Sequence, residues 1–364
     1  MVNDTAVVIL NWNGEQWLRR FLPQVVEHTR HAARIIVADN GSTDGSIAWL
    51  RAAQPTVEVV ELGTNLGFAG GYNAALARIT AEFYVLLNSD VEVRTGWIEG
   101  LRHLLDQDPR MAACQPKILS HAHPDRFEHA GAAGGYIDRN GYPFCRGRIF
   151  ELTEVDHGQY DDTREVFWAT GACMMIRSAA FHEAGGFDAS LFAHMEEIDL
   201  CWRLRRTGWR IGYTSASVVY HVGGGALGYG SPRKTYLNFR NSLCVLTKNL
   251  RSRWVMGRIL RRMVLDGFAA MKFLLEGHAD HAWVVLRAHA YFYGHLPGLL
   301  RERARLAALE HDADLTGQYT RSVAYDRFIL GQKTFPELDP TAFTSRTGEA
   351  GIPRPSDTPP GRSR

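Results

Sequence analysis

Arg34-Ile35-Ile36-Val37-Ala38-Asp39-Asn40-Gly41-Ser42-Thr43-Asp44-Gly45-Ser46 is the stretch that decides how this chain folds. Four apolar residues in a row, with no polar alternation, read as a strand covered on both faces, the mark of a parallel sheet between helices. The run ends on a carboxylate. Asn40-Gly41 then supplies a turn, and Asp44 or Ser46 can cap the helix that follows. A turn needs its glycine and one cap. It does not need Asp39 on the last position of the strand, where a carboxylate can accept a hydrogen bond from a base N–H.

The same punctuation recurs on either side. Thr5–Leu10 is a short apolar run followed by Asn11-Trp12-Asn13-Gly14, and Glu15–Thr29 is helical with a break expected near Pro23. Ser46–Ala53 reads as a helix, Val57–Glu61 as a strand, Gly70–Ile79 as a helix and Phe83–Leu87 as a strand ending in Asn88-Ser89-Asp90. Strands alternating with helices imply βαβ units, a mainly parallel sheet and helices on both faces. In such sheets ligands sit beyond the carboxyl ends of the strands. Asn11–Asn13, Asp39–Asp44 and Asn88–Asp90 should therefore converge on one crevice.

From 121 to 164 the chain is rich in Gly, His and charge with little periodicity, and reads as irregular or short β segments, a flexible cover. Phe167–Ile176 then reads as a strand, Ser178–Glu183 as a short helix, Glu196–Thr207 as an amphipathic helix, and Arg210–Thr214 and Val218–His221 as strands. Helices dominate from Pro232. The expected organisation is an α/β unit over 1–230 (in two parts, about 1–120 and about 121–230), a helical region over 231–345 and a disordered tail over 346–364.

Composition removes several classes. Lys plus Arg is 41 against 39 Asp plus Glu, which gives no basic surface for nucleic acid, and none is expected as partner. Five scattered Cys with no C-x-x-C pair suggest free thiols in a reducing compartment, hence a cytoplasmic protein. The first residues show no basic and apolar leader, so no signal peptide is expected. The uncharged run Ala288–Leu300, broken by His, Gly and Pro, falls short of the ~20 apolar residues that a spanning helix needs.

Four further features carry chemistry. Asn65-Leu66-Gly67-Phe68-Ala69-Gly70-Gly71-Tyr72-Asn73 is a glycine-rich loop whose N–H groups could approach a diphosphate at a helix N-terminus. Asp90 at a strand end suits Mg²⁺ or Mn²⁺, which take few protein oxygens and complete their shell with water and phosphate. Glu196-Glu197-Ile198-Asp199 crowds three carboxylates, more than helix capping requires, and crowding raises one pKa toward that of a general base. His221, ending another apolar strand, could add a ring nitrogen to a metal site.

In this order these residues resemble the inverting glycosyltransferases of family 2, with the GT-A fold: the Asn-Trp-Asn-Gly and Asp-Asn-Gly-Ser-Thr-Asp-Gly-Ser turns, the Asn65–Asn73 loop, Asn-Ser-Asp, Gly171–Arg177, Gly185-Gly186-Phe187-Asp188, Glu196–Arg203 and the strand-final His. The likeness covers roughly residues 4 to 225, and the branch it is similar to is that of bacterial rhamnosyltransferases building cell-wall, O-antigen or capsular polysaccharide. The resemblance implies that Asp39, with Asn11 and Asn13, binds the nucleotide base and that Asn65 and Asn88 lie against the nucleotide-sugar. It implies that Asp90 and His221 hold Mg²⁺ or Mn²⁺ and that Glu197 is the catalytic base. Asn88 stands where the family's metal motif has its first Asp, and Glu197 where the base is usually Asp, so Glu196 and Asp199 remain alternative bases. The implied donor is a nucleotide-sugar, best matched by dTDP-rhamnose, and the acceptor a glycan or polyprenyl-linked glycan. Competing readings are another nucleotide-dependent transferase, such as a nucleotidyltransferase, and a non-catalytic scaffold. The first would carry a basic loop where Asn11–Gly14 has none; the second should have lost Asp39, Asp90 or the acidic cluster, and all remain.

One segment points elsewhere. Between Arg253 and Gly277, Trp254, Met256, Ile259, Leu260, Met263, Val264, Phe268, Met271 and Leu275 recur at helical spacing beside six cations, Arg251, Arg253, Arg258, Arg261, Arg262 and Lys272. Such a helix either lies on an anionic bilayer at the inner face of the membrane, packs on the catalytic unit, or pairs in a homodimer.

Overall fold

The computed structural model describes residues 4–223 and 230–345; the expected tail beyond 345 and the Gly224-Gly225 end of the resemblance lie outside the described residues. The first half runs β1 (Thr5–Asn11), α1 (Glu15–Thr29), β2 (Arg34–Asp39), α2 (Ser46–Ala53), β3 (Glu58–Glu61), α3 (Gly67–Leu76), β4 (Phe83–Leu87), β5 (Val91–Val93), α4 (Glu99–Gln107) and β6 (Met111–Ser120). Next come the short strands β7 (Gly135–Asp138), β8 (Pro143–Cys145), β9 (Arg148–Ile149), β10 (Leu152–Thr153) and β11 (Thr163–Glu165), then β12 (Cys173–Arg177), α5 (Ser178–Glu183), α6 (Glu196–Arg206) and β13 (Arg210–His221). The last part holds α7 (Pro232–Asn249), α8 (Val255–Leu275), α9 (Ala279–Ala308), β14 (Gln318–Tyr319) and α10 (Val323–Phe328).

Nine strands form the main sheet in the order β11-β13-β6-β12-β4-β1-β2-β3, with β5 on β13. β3, β2, β1 and β4 are parallel; β12 runs antiparallel between β4 and β6, so the sheet is mixed rather than mainly parallel. Alternation along each strand sorts the core into two layers. Ala6 and Val8 of β1, Ile36 and Ala38 of β2, and Tyr84 and Leu86 of β4 pack with α3 and α6. Val7 and Ile9, Ile35 and Val37, and Phe83 and Val85 pack with α1, α2 and α4 on the other face. Those uniform apolar runs are what a sheet covered on both faces requires.

Four elements differ from the sequence expectation. Helix α1 continues through Pro23. An interior proline costs about 3 kcal/mol, but Leu18, Phe21, Leu22 and Val25 bury against the sheet, each contributing about 1.5–3 kcal/mol. Helix α3 starts at Gly67, three residues early, because Gly67 takes a φ of 74° and closes the turn. The strand expected over Phe167–Ile176 is ordered only from Cys173. The two strands expected after Arg210 are one, β13, with a register shift between Thr214 and Val218.

The 121–164 stretch is a packed second sheet, β10-β9-β8-β7-β14, rather than a loose cover. Tyr136 and Phe144 are fully buried, in ring contact with Phe335 and Phe343 from the chain's end. β14 adds the segment after α9 to this sheet, parallel to β7.

Candidate active site

β1 and β2 are in register so that Asn11 pairs with Asp39, placing both at the carboxyl end of the sheet. Asn11 Nδ2 donates to Asp39 Oδ1 (3.1 Å) and lies 3.0 Å from Ser42 Oγ, while the Ser42 N–H donates to Asp39 Oδ2 at 3.0 Å. Asp39 is only 4% exposed, and both of its oxygens accept hydrogen bonds at the crevice. Asn13 serves the loops: its Oδ1 accepts from Thr43 and Asp44 N–H (2.7 and 3.3 Å) and its own N–H donates to Ser42 Oγ. Asp44 in turn accepts from Glu15 and Ser46 N–H, joining the starts of α1 and α2.

Asn65 accepts from Gly67 N–H at 2.8 Å and from Asn40 Nδ2 at 3.3 Å. Asn40, which the sequence reading passed over, also donates to Gly67 O and accepts from Leu66 N–H, locking the glycine-rich loop onto β2. The N–H groups of Phe68 and Ala69 at the start of α3 do not face an open anion site; both donate to Phe192 O, at 2.7 and 3.2 Å. In this structure the two N–H groups expected to approach a diphosphate are engaged by a backbone carbonyl.

On the next strand, Asn88 N–H donates to Ala172 O and its Nδ2 is 3.4 Å from His221 Nε2. Asp90 Oδ1 is 3.2 Å from the same nitrogen, and Glu128 Oε2 is 3.0 Å from His221 Nδ1. Burial alone would lower the His221 pKa, but hydrogen bonds to the two carboxylates overcome it and hold the ring protonated. Glu128 was missed from sequence because it sits in a stretch without motif, 93 residues from its partner. Among the described residues no group of three or more His, Cys, Asp or Glu is preassembled for a metal. The fit to Mg²⁺ or Mn²⁺ is therefore of the two-ligand kind. Asp90 Oδ1 and His221 Nε2 lie 3.2 Å apart beside Asn88; a cation there would take the place of the Nε2 proton, and the remaining positions would fall to phosphate and water.

The three acidic candidates separate. Asp199 is fully buried and committed: Arg203 Nε donates to it at 2.9 Å, Asn249 Nδ2 at 2.7 Å, and Lys248 Nζ lies at 3.0 Å. Against the burial penalty, Lys248 and Arg203 hold it down at about 2, a structural carboxylate. Glu196 and Glu197 each have a buried Oε2 without a hydrogen-bond partner. Burial pushes Glu197 up to about 7, and burial with Glu197 and Asp199 alongside raises Glu196 well above the ordinary carboxylate range. Glu197, the more exposed of the pair, stands over Gly171, where a Cβ would lie 3.9 Å from its own, next to the Ala172 carbonyl that binds Asn88.

Residues 6–185 match the sequence model of glycosyl transferase family 2. The N-acetylglucosaminyl-diphospho-decaprenol L-rhamnosyltransferase of Mycobacterium tuberculosis is 28% identical over 236 residues, 61% of this chain and 77% of that protein. The low-salt glycan biosynthesis hexosyltransferase Agl10 of Haloferax volcanii is 26% identical over 247 residues, 66% of this chain and 75% of that one. Two solved structures share the fold: GalNAc-T7 with UDP, GalNAc and Mn²⁺ (TM-score 0.51, 17% identity, 67% of this chain) and S. aureus TarS 1-349 (TM-score 0.50, 16% identity, 91% of this chain and 92% of that one). The chain spans about half, 47%, of the GalNAc-T7 chain.

Proposed function

This chain carries a glycosyl transferase family 2 domain and is a glycosyltransferase of the GT-A fold, and from that premise we propose that it moves rhamnose, with inversion, from dTDP-rhamnose to a hydroxyl of a polyprenyl-linked glycan in cell-surface polysaccharide synthesis. The observation that carries the reading is the meeting, at the carboxyl end of the main sheet, of the Asn11–Asp39 pair and the Asp90–His221 pair, with Glu197, whose Oε2 has no hydrogen-bond partner, at the start of α6. The similarity to the M. tuberculosis L-rhamnosyltransferase supports the choice of sugar and of acceptor class.

In this reading Asp39 and Asn11 receive the nucleotide base, Asn13 shapes the loop beside it, and Asn65 and Asn88 line the sugar-diphosphate. Glu197 takes the proton of the acceptor hydroxyl; the oxygen bonds to the anomeric carbon as the bond from that carbon to the diphosphate oxygen breaks, releasing the nucleoside diphosphate. Asp90 and His221 are the residues that would hold Mg²⁺ or Mn²⁺, and a bound cation supplies charge neutralisation at the leaving diphosphate. Glu196, more deeply buried than Glu197, acts as a neighbour to the base, and Asp199 is left out of the chemistry because its oxygens are already engaged.

The acceptor class bears on the outer face of α8. Ile259 and Met263 of the apolar stripe are buried, but Trp254, Leu260, Val264, Phe268 and Leu275 are exposed, Phe268 at 70%. Arg253 and Arg261 flank them in solvent. Apolar and cationic side chains on one exposed face favour a peripheral contact with an anionic bilayer, the inner membrane face where a polyprenyl-linked glycan would be met, over a homodimer seam. Among the described residues no helix is long and apolar enough to cross a membrane.

The test is a panel of dTDP-, UDP- and GDP-sugars offered with Mn²⁺ and a synthetic polyprenyl-diphosphate sugar. Extension of the lipid from dTDP-rhamnose supports the proposal, and extension only from another donor replaces its sugar assignment.

A further inference from the structure

The segment leading into α6 is bent against its residue types. Phe192, His194 and Met195 have φ of 63°, 69° and 72°, a region that side-chain-bearing residues seldom occupy and that persists only when neighbours over-determine it. Two sets of neighbours do so. On one side are Phe68 and Ala69 of α3, whose N–H groups hold Phe192 O. On the other is Asn241, fully buried on α7, whose Nδ2 lies 2.9, 2.8 and 2.7 Å from the carbonyl oxygens of Leu191, Ala193 and His194. Arg240 fixes the direction of that amide: its Nε donates to Asn241 Oδ1 at 2.7 Å, and its Nη2 donates to Leu191 O at 2.7 Å and Ser190 O at 3.2 Å. The two residues that follow this loop are Glu196 and Glu197.

We propose that Asn241 is a positioning residue for the general base: by gathering three carbonyls of the strained Leu191–Met195 turn, it sets where α6 begins and so where the Glu197 carboxyl stands over the sheet's carboxyl end. The proposal rests on the reading of Glu197 as base. It places part of the catalytic apparatus in the helical segment after residue 231, beyond the residues that match the family model. A residue needed only for packing would not have to present its two amide N–H groups to three carbonyls of one turn. Asn249, two turns further along α7, shows the contrasting case, since it binds Asp199 and no part of the turn.

The test uses the full chain as wild type, N241A, N241S, E197Q and the N241A/E197Q double variant. Nucleoside diphosphate release gives kcat, donor KM and the pH profile of kcat, and a thermal melt gives stability. A base displaced by about 1 Å loses rate on the order of 10–100-fold. N241A should therefore lose kcat by that factor with donor KM within about twofold. Its acidic limb should move below the wild-type position as water reaches Glu197, and N241S, which keeps one donor, should recover part of both effects. In the E197Q background the same substitution should change kcat by less than about threefold, because the two residues act as a unit. N241A and N241S with wild-type kcat and an unmoved limb, whatever their melting points, overturn the proposal, as does an undiminished loss in the E197Q background. A fully active E197Q overturns the base assignment itself, which an inactive E197Q beside an unaffected N241A does not. If N241A does not fold, N241S decides by the same limb shift.

Discussion

His221 Nε2 lies 3.2 Å from Asp90 Oδ1, joining the last residue of β13 to the turn after β4 and closing the carboxyl end of the sheet. The contact makes two strands far apart in sequence depend on each other at the point where a donor's diphosphate would sit. D90A should abolish transfer while the fold persists, because among the described residues Asp90 binds through its side chain to His221 and through its carbonyl to Val222 N–H. EDTA should silence the wild type and Mn²⁺ should restore it. Undiminished activity in EDTA would remove the metal from the account.

Asp39 offers a separable test of the nucleotide end. D39N keeps the volume but replaces one acceptor oxygen with a donor beside Ser42 N–H and the nucleotide base. Hydrogen bonds to charged groups contribute about 1.5–3 kcal/mol, so titration calorimetry with the nucleoside diphosphate should read a Kd raised roughly 10- to 100-fold. Unchanged affinity would mean that the carboxylate serves only the turn.

The acidic cluster predicts three different phenotypes. E197Q should lower kcat by roughly 10²–10⁴ and leave donor binding unchanged. E196Q should retain most activity. D199N should lose about 3 kcal/mol of stability in urea unfolding, since it breaks a buried pair with Lys248 and Arg203. An active E197Q with an inactive E196Q would move the base by one position.

Two pH effects follow from the burial of Glu197. As a base it works ionised, so kcat should rise with pH through about 7. Its folded pKa is raised from the ordinary 4.5, so protonation favours the folded state: that contribution is whole below pH 4.5 and is lost as pH rises through about 7. E197Q carries no such loss. The melting point of E197Q relative to wild type should therefore climb between pH 5 and pH 8, and a constant difference would contradict the raised pKa.

Flotation with liposomes tests the outer face of α8. Wild type should float with anionic vesicles at low salt and less at high salt, and F268E/L275E should stay at the bottom with its soluble activity intact. Both residues are exposed and lie on α8, not on α6 with the acidic cluster. Absence of flotation at low salt, with a concentration-dependent mass doubled in light scattering, would assign the face to a dimer instead.

The strand ends were legible because parallel strands buried on both faces admit almost no polar residue, so Asp39 stood out, and Asp90, in the turn after β4, gained weight only from its company. The acidic run before Leu200 was legible for its excess of charge, although its division of labour was not. Asp199 is a structural carboxylate only because Lys248 and Asn249, some 50 residues on, reach it. Glu128 and Asn241 escaped for the same reason: each acts through a contact in space, and neither lies in a pattern of period 2 or 3.6. The Gly67 turn misled because glycines read equally well as anion loop and as positive-φ hinge, and only the Phe192 carbonyl settles which one the α3 N-terminus serves.

The central claim is that Glu197 draws a proton from an acceptor while Asp39, Asp90 and His221 hold a nucleotide-sugar. The measurement closest to it is the anomeric configuration of the product by ¹H NMR, taken at first turnover from dTDP-rhamnose, with Mn²⁺ and the polyprenyl-linked acceptor, for wild type and E197Q. The account predicts a product inverted relative to the donor in the wild type and none above background in E197Q. A product of retained configuration, or equal product from E197Q, would contradict it.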